Sequence, residues 1–147
     1  MKYYLGFDIG ASKVRHTLIK EKGEIIEKGQ VLLGKGRERI KNLFDYISEA
    51  ARDYKVRGVG FGIPGIFDGE KIVYAPNFKE LLGEDFRWTR DLFKRSKVVV
   101  NNDANCFTYA EALIGQGQGR QIVLGVTLGS GLGAGLVIKF SRKRPLL

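Results

Sequence analysis

The sequence predicts an α/β fold in which a mixed sheet carries helices on its faces. Two observations lead there. Three strand-like runs open the chain with connections of hairpin length, and helix-like and strand-like segments then alternate, as crossovers in a sheet require. Tyr3 to Ile9 and residues 14–19 read as two strands around the turn DIGASK, residues 21–24 as a second turn, and residues 25–33 as a third strand. Residues 34–36 break the chain before a helix whose apolar positions, Ile40, Leu43, Phe44, Ile47, Ala50, Ala51 and Tyr54, recur at helical spacing and must lie on the sheet. Residues 56–63 form the next strand, ended by Pro64-Gly65, and residues 71–75 a short edge strand after the Asp68-Gly69 turn. Residues 77–84 read as loop or a helical turn, and 86–93 as a short helix. A valine-rich strand begins at Val98, and Phe107, Ala110, Leu113 and Ile114 mark a last helix, placing the strand-to-helix turn on residues 101–105.

At 147 residues the chain is long enough to bury a real core, and 44% hydrophobic with 28% charged residues describes a globular protein. No 18-residue apolar run is present to span a membrane. The amino terminus begins a strand at residue 3 without an h-region and cleavage site, which gives the expectation of a mature cytoplasmic protein. One cysteine, Cys106, and one histidine, His16, exclude an internal disulfide and a four-ligand zinc site built from this chain alone. The net charge of +9 suits an anionic ligand such as a nucleotide. Nucleic acid is disfavoured, because the basic residues are dispersed and only 139–144 forms a cluster.

Three stretches carry candidate chemistry. In residues 98–111, VVVNNDANCFTYAE, an apolar strand runs into the carboxylate of Asp103 and then into a helix, and the carboxyl end of a strand is where open α/β sheets put their chemistry. The plainer alternative is that Asn102 or Asp103 simply caps the helix. The turn Asp8-Ile9-Gly10-Ala11-Ser12-Lys13 offers several backbone N–H groups to a phosphate, a carboxylate that could hold Mg²⁺ directly or through water, a hydroxyl and a cation; alone, it also reads as an ordinary tight turn. Between the apolar runs 122–126 and 136–138, Gly129, Ser130, Gly131 and Gly133 lie in a second glycine turn whose small residues hold the backbone open to a ligand. Together the three suggest a phosphate between two hairpins and a carboxylate aimed at an acceptor hydroxyl. His16, mid-strand, is expected to be a satisfied structural histidine, and Cys106 a core residue.

The segments DIGASKVRHTLI, GFGIPGIFD, YAPNF, VNNDANCFTYAE and VTLGSGLGAGLVI, in this order, resemble the amino-terminal half of the ROK family of sugar kinases and related repressors over residues 3–138. The resemblance implies an actin-like, ribonuclease H-like fold of two lobes with ATP and Mg²⁺ in the cleft between them. It implies Asp103 as general base toward a hexose hydroxyl, the 6-hydroxyl of glucose in the first instance. Asn102 and Asn77 would contact the sugar, Asp8 with Gly10, Ala11, Ser12 and Lys13 would form the first phosphate loop, and residues 129–133 the second. Ala11-Ser12 stands where the family usually has Gly-Thr; the hydroxyl is kept, while the methyl of Ala11 restricts positive φ.

Only 28 residues follow Gly119. The expected organisation is therefore an amino-terminal actin-like lobe over 1–119, then the first hairpin of a truncated second lobe with a basic tail over 120–147. The glutamate and histidine that complete the family's sugar site, its cysteine-rich zinc motif and its adenine-binding region fall outside this sequence, as an interrupted reading frame would explain. Two functional expectations follow. One is an ATP-dependent hexose kinase. The other is a catalytically incompetent lobe that binds sugar or phosphate weakly, or pairs with a second-lobe chain or another copy through the bare edges of the hairpin at 122–140. A remnant of a transcriptional regulator is disfavoured, because the family's repressors carry a helix-turn-helix ahead of this part.

Overall fold

The computed structural model describes residues 1–69, 71–129 and 131–139. Ser130, Phe140 and residues 140–144 of the basic cluster lie outside the described residues. The main sheet has five strands in the order β3-β2-β1-β4-β7, formed by β1 (Tyr3–Ile9), β2 (Lys13–Lys20), β3 (Ile25–Leu32), β4 (Gly58–Ile63) and β7 (Lys97–Asn102). The first three are an antiparallel meander, while β1, β4 and β7 run parallel. Helix α1 (Glu38–Asp53) crosses from β3 to β4, α2 (Trp88–Leu92) lies in the crossover to β7, and α3 (Asp103–Ile114) leaves β7. The mixed α/β architecture is the one expected.

Alternation along the strands decides where the core sits. Leu5, Phe7 and Ile9 of β1, Val14 and Leu18 of β2, and Val59, Phe61 and Ile63 of β4 all point to one face and are buried. There they meet Leu43, Ile47 and Ala50 of α1, with Phe78, Leu81, Phe86 and Phe93 closing the layer. Phe7 stacks on Phe61 at 4.9 Å between centroids with the rings 5° from parallel.

His16 is buried among these groups as the sequence suggests, with Nδ1 2.7 Å from the Tyr46 hydroxyl and Nε2 3.3 Å from that of Tyr54. Tyr54 also donates to Glu27, and this bond, with burial behind it, pushes the phenol up from 10.0 to about 12. The folded state therefore favours the protonated phenol. Its stabilising contribution is complete below the unfolded value and is lost as pH rises through about 12. Thermal unfolding followed between about pH 10 and 12 should show a falling melting temperature, and Tyr54→Phe should flatten that decline.

Three expectations need correction. Residues of β6 (Lys71–Tyr74) do not edge the main sheet; they pair with β5 (Ile66–Asp68) as a separate ribbon. The apolar set on α3 is also not its buried face: Phe107, Leu113 and Ile114 are exposed, and Ala104, Thr108 and Ala112 are buried instead. The reason is the partner. Strands β8 (Ile122–Leu128) and β9 (Leu132–Ile138) form a two-stranded ribbon whose Gly125, Gly133 and Gly135 lie against the small-residue face of α3. Glycine backbone approaching this closely leaves room only for alanine and threonine, so the larger side chains face away. Cys106 is half-buried rather than core.

Candidate functional site

The β7–α3 junction places two neighbouring side chains in different jobs. Asn102 caps α3: its Oδ1 accepts from the N–H groups of Ala104 (3.0 Å) and Asn105 (3.2 Å), and its Nδ2 donates to the Gly65 carbonyl at 3.0 Å. The capping alternative thus falls on Asn102, whose amide is largely spent on the protein. Asp103, half-buried, accepts from the Ala104 N–H through Oδ1 at 2.9 Å, and its Oδ2 has no hydrogen-bond partner among the described residues.

Strand register sets what lies beside it. Asp8, Gly62 and Asn101 are paired across β1, β4 and β7 in one row, which at the usual strand spacing puts Asp8 and Asn101 about 10 Å apart. Gly62 lies under Asp103: a Cβ built on it would stand 3.5 Å from the Asp103 Cα and 3.7 Å from the Cys106 Cβ. Burial, then the carboxylates of Asp103 and of Asp8, push the Cys106 thiol up, so both acids act on one small region.

The first glycine turn joins β1 to β2 and is closed by Gly10 N–H to the Lys13 carbonyl at 2.9 Å. Ser12 is exposed, and Ala11 is half-buried against the core. No residue other than glycine has positive φ among the described residues, so the Ala11 methyl costs no backbone strain. Asp8 is exposed and pairs with Arg15 through one oxygen at 3.1 Å. No group of three metal-ligating side chains occurs among the described residues. With one oxygen on Arg15, Asp8 has its other oxygen without a hydrogen-bond partner among the described residues, and a carboxylate oxygen of this kind is the donor type a hard cation takes.

The second turn divides by position. A Cβ at Gly129 would meet nothing within 4 Å, so this residue is open, whereas at Gly133 it would stand 2.5 Å from Thr127 Oγ1 and 3.2 Å from the Ala104 Cβ. Gly133 is thus required by packing rather than by an open ligand face, and Ser130 lies outside the described residues. At Gly131 a Cβ would come within 2.7 Å of the Asn77 Nδ2, so the exposed Asn77 side chain touches the tip of the ribbon.

The residue missed at sequence level is Arg39, in the first turn of α1. It donates to the Ala11 carbonyl in the first glycine turn, to the Asn77 carbonyl at 3.1 Å, and to both oxygens of Glu80 at 3.2 and 3.3 Å. In the run Lys35, Arg37, Arg39 it carries no signal that separates it from solvated surface charge.

The ROK family model matches residues 4–141. The chain is 34% identical to an N-acetyl-D-glucosamine kinase of Pectobacterium carotovorum, covering 92% of this chain and 46% of that protein. It is 33% identical to a glucokinase of Thermotoga maritima, covering 90% and 44%. It superposes on a ROK family glucokinase from Streptomyces griseus in complex with glucose and AMPPNP with a TM-score of 0.78 at 30% identity, covering 97% of this chain and 47% of that one. The chain spans less than half the length of these relatives.

Proposed function

We propose, because this chain belongs to the ROK family, that it supplies the sugar-binding and phosphate-binding lobe of an ATP-dependent hexose kinase acting on the 6-hydroxyl of glucose. The open Oδ2 of Asp103, at the carboxyl end of β7 and beside the row that holds Asp8, is the observation that supports it most. In this reading Asp103 orients the sugar hydroxyl and takes its proton as the new bond to phosphorus forms. Asn77 and the remaining N–H of Asn102 hold the sugar. Backbone N–H groups of Ala11 and Ser12 hold phosphate oxygens, Gly129 leaves open space at the second turn, and Asp8 faces the metal through its second oxygen. Bound Mg²⁺ would supply neutralisation of phosphate charge. Arranging these groups lowers the barrier mainly by alignment, which covalent chemistry could not replace here.

The test is ATP-dependent phosphorylation by the purified 147-residue chain, with glucose and N-acetylglucosamine as acceptors and calorimetric binding of each alongside. Turnover, with glucose preferred, is the expected result. A chain that binds neither sugar nor ATP sinks the reading.

One observation favours a second reading, in which the lobe works only when paired. The face of the β8–β9 ribbon turned away from α3 exposes Ile122, Leu124, Val126, Leu128, Leu132 and Leu136, at 47% to 86% exposure. Burying side chains of this size contributes roughly 1.5–3 kcal/mol each, and an exposed patch this continuous marks an interface. Here the ribbon pairs with another chain, a second copy in the absence of any other. The purified chain should self-associate in light scattering, and Leu124→Lys with Leu136→Lys should return it to monomer. A monodisperse wild-type monomer would count against pairing between copies.

A further inference from the structure

We propose that Arg39 is a positioning residue that couples the phosphate turn to the sugar loop, so that order in one is transmitted to the other. The inference rests on the kinase reading for the names of the two loops, but the coupling itself stands on geometry. Residues 10–13 and the segment around Asn77 belong to different parts of the chain and share no strand ladder. Both also border the apolar core, but among the described residues the side chain that hydrogen-bonds to both is one guanidinium. Its Nη2 donates both to the Ala11 carbonyl and, at 3.1 Å, to the Asn77 carbonyl. Its Nη1 is held by the Glu80 carboxylate, and its plane lies over the ring of fully buried Phe78, with Cζ 4.3 Å from the centroid. The side chain is 17% exposed and its Glu80 partner 23%, so water competes poorly for these bonds.

Each contact has a distinct part. Glu80 and Phe78 fix the guanidinium from one side, and that fixed fork then presents two N–H directions to two carbonyls. A lysine ammonium is a single point on a flexible stem and serves one such acceptor well, not both in a set geometry. A merely structural arginine would brace one loop against the core; this one bonds both loops through the same nitrogen, so displacement of either carbonyl is felt at the other. By linkage, phosphate held at residues 10–13 should tighten the Asn77 loop, and sugar held at Asn77 should tighten the phosphate turn. An enzyme wired this way aligns the phosphate best when the acceptor is present, which disfavours transfer to water.

The experiment compares wild type, Arg39→Met and Arg39→Lys in the whole 147-residue chain. Met keeps an unbranched stem over Phe78 and removes every donor. Amide hydrogen exchange without ligand is expected to rise at least about tenfold in Arg39→Met at Gly10 and Leu33, whose N–H groups bond the first turn, together with Phe78 and Leu81 of the Asn77 segment, with β1, β4 and α3 unchanged. Arg39→Lys should protect one loop and release the other. In addition, inorganic phosphate titrated into ¹⁵N-labelled wild type should shift the amides of residues 10–13 and of 77–78, and in Arg39→Met only those of 10–13. Exchange that rises in one loop alone, or two loops restored by lysine, would overturn the coupling. So would equal phosphate shifts at 77–78 with and without the arginine. Should phosphate leave residues 10–13 of the wild type unshifted, the phosphate-turn assignment fails while the exchange comparison still decides the role of Arg39. If Arg39→Met does not fold, the lysine variant carries the same comparison.

Discussion

Replacing Asp103 by Asn should lower glucose phosphorylation about 10²–10⁴-fold, the usual weight of a general base, and leave the melting temperature where it is. The asparagine Oδ1 can still accept from the Ala104 N–H, as the aspartate does at 2.9 Å, so the start of α3 is kept. What is lost is the basic oxygen that no protein group uses. The measurement is a coupled ATP assay beside thermal unfolding, in whichever form of the chain turns over. Its neighbour should behave in the opposite way. Asn102→Ala removes the acceptor for two helix N–H groups and the donor to Gly65, and should cost about 1 kcal/mol of stability. If Asp103→Asn retained full turnover, the proposed proton acceptor would be wrong; if it unfolded the chain, Asp103 would be a cap after all.

The second large effect lies where the ribbon meets α3. In Gly135→Ala the new methyl would stand 2.6 Å from the Ala104 carbonyl oxygen and 3.0 Å from its carbon, both part of the helix backbone. Neither can retreat without bending α3, and overpacking of this kind typically costs about 1–3 kcal/mol. The ribbon should detach locally: amides of residues 122–138 exchange faster while the five-stranded sheet stays protected. At Gly125 the nearest obstacle is a side chain, Thr108 Oγ1 at 2.1 Å. A methyl at Gly135 would also meet Thr108 Oγ1, at 2.5 Å, but the Ala104 backbone stands beside it, so Thr108→Ala should relieve Gly125→Ala more than Gly135→Ala. Equal rescue of both would mean that the helix backbone is not the wall it is taken to be. Detachment also carries Gly131 away from Asn77, so weaker phosphate binding should accompany it.

Periodicity made most of the fold legible. The β1 bounds, a helix after the break at residues 34–36 and a strand-to-helix turn within 101–105 follow from local patterns of apolar residues and turn chemistry. What local pattern missed is pairing at a distance. Phe107, Leu113 and Ile114 have the spacing of a buried face, but burial on α3 was decided by how closely the glycines of a later ribbon approach. Gly133, whose small size suggests a backbone open to a ligand, is small because Thr127 of β8 and Ala104 of α3 occupy the space. At the site, Asp8, Asp103 and the two turns stood out by composition and order. Arg39 did not, because its importance lies in three acceptors drawn from residues 11, 77 and 80, which only the folded chain brings together.

No ladder bond ties β8 and β9 to the five-stranded sheet among the described residues; the ribbon rests on α3 through glycine, alanine and threonine, and on Asn77 at its tip. The Lys139 Nζ bond to the Ala112 carbonyl at 2.7 Å and the buried Val137 complete the seat. Tilting the ribbon slides small groups past one another and breaks no main-chain hydrogen bond of the sheet, yet moves Gly129 and Gly131 relative to residues 10–13. The spacing of the two turns is thus set by side-chain packing on α3, separately from the ladder that fixes the strand ahead of Asp103.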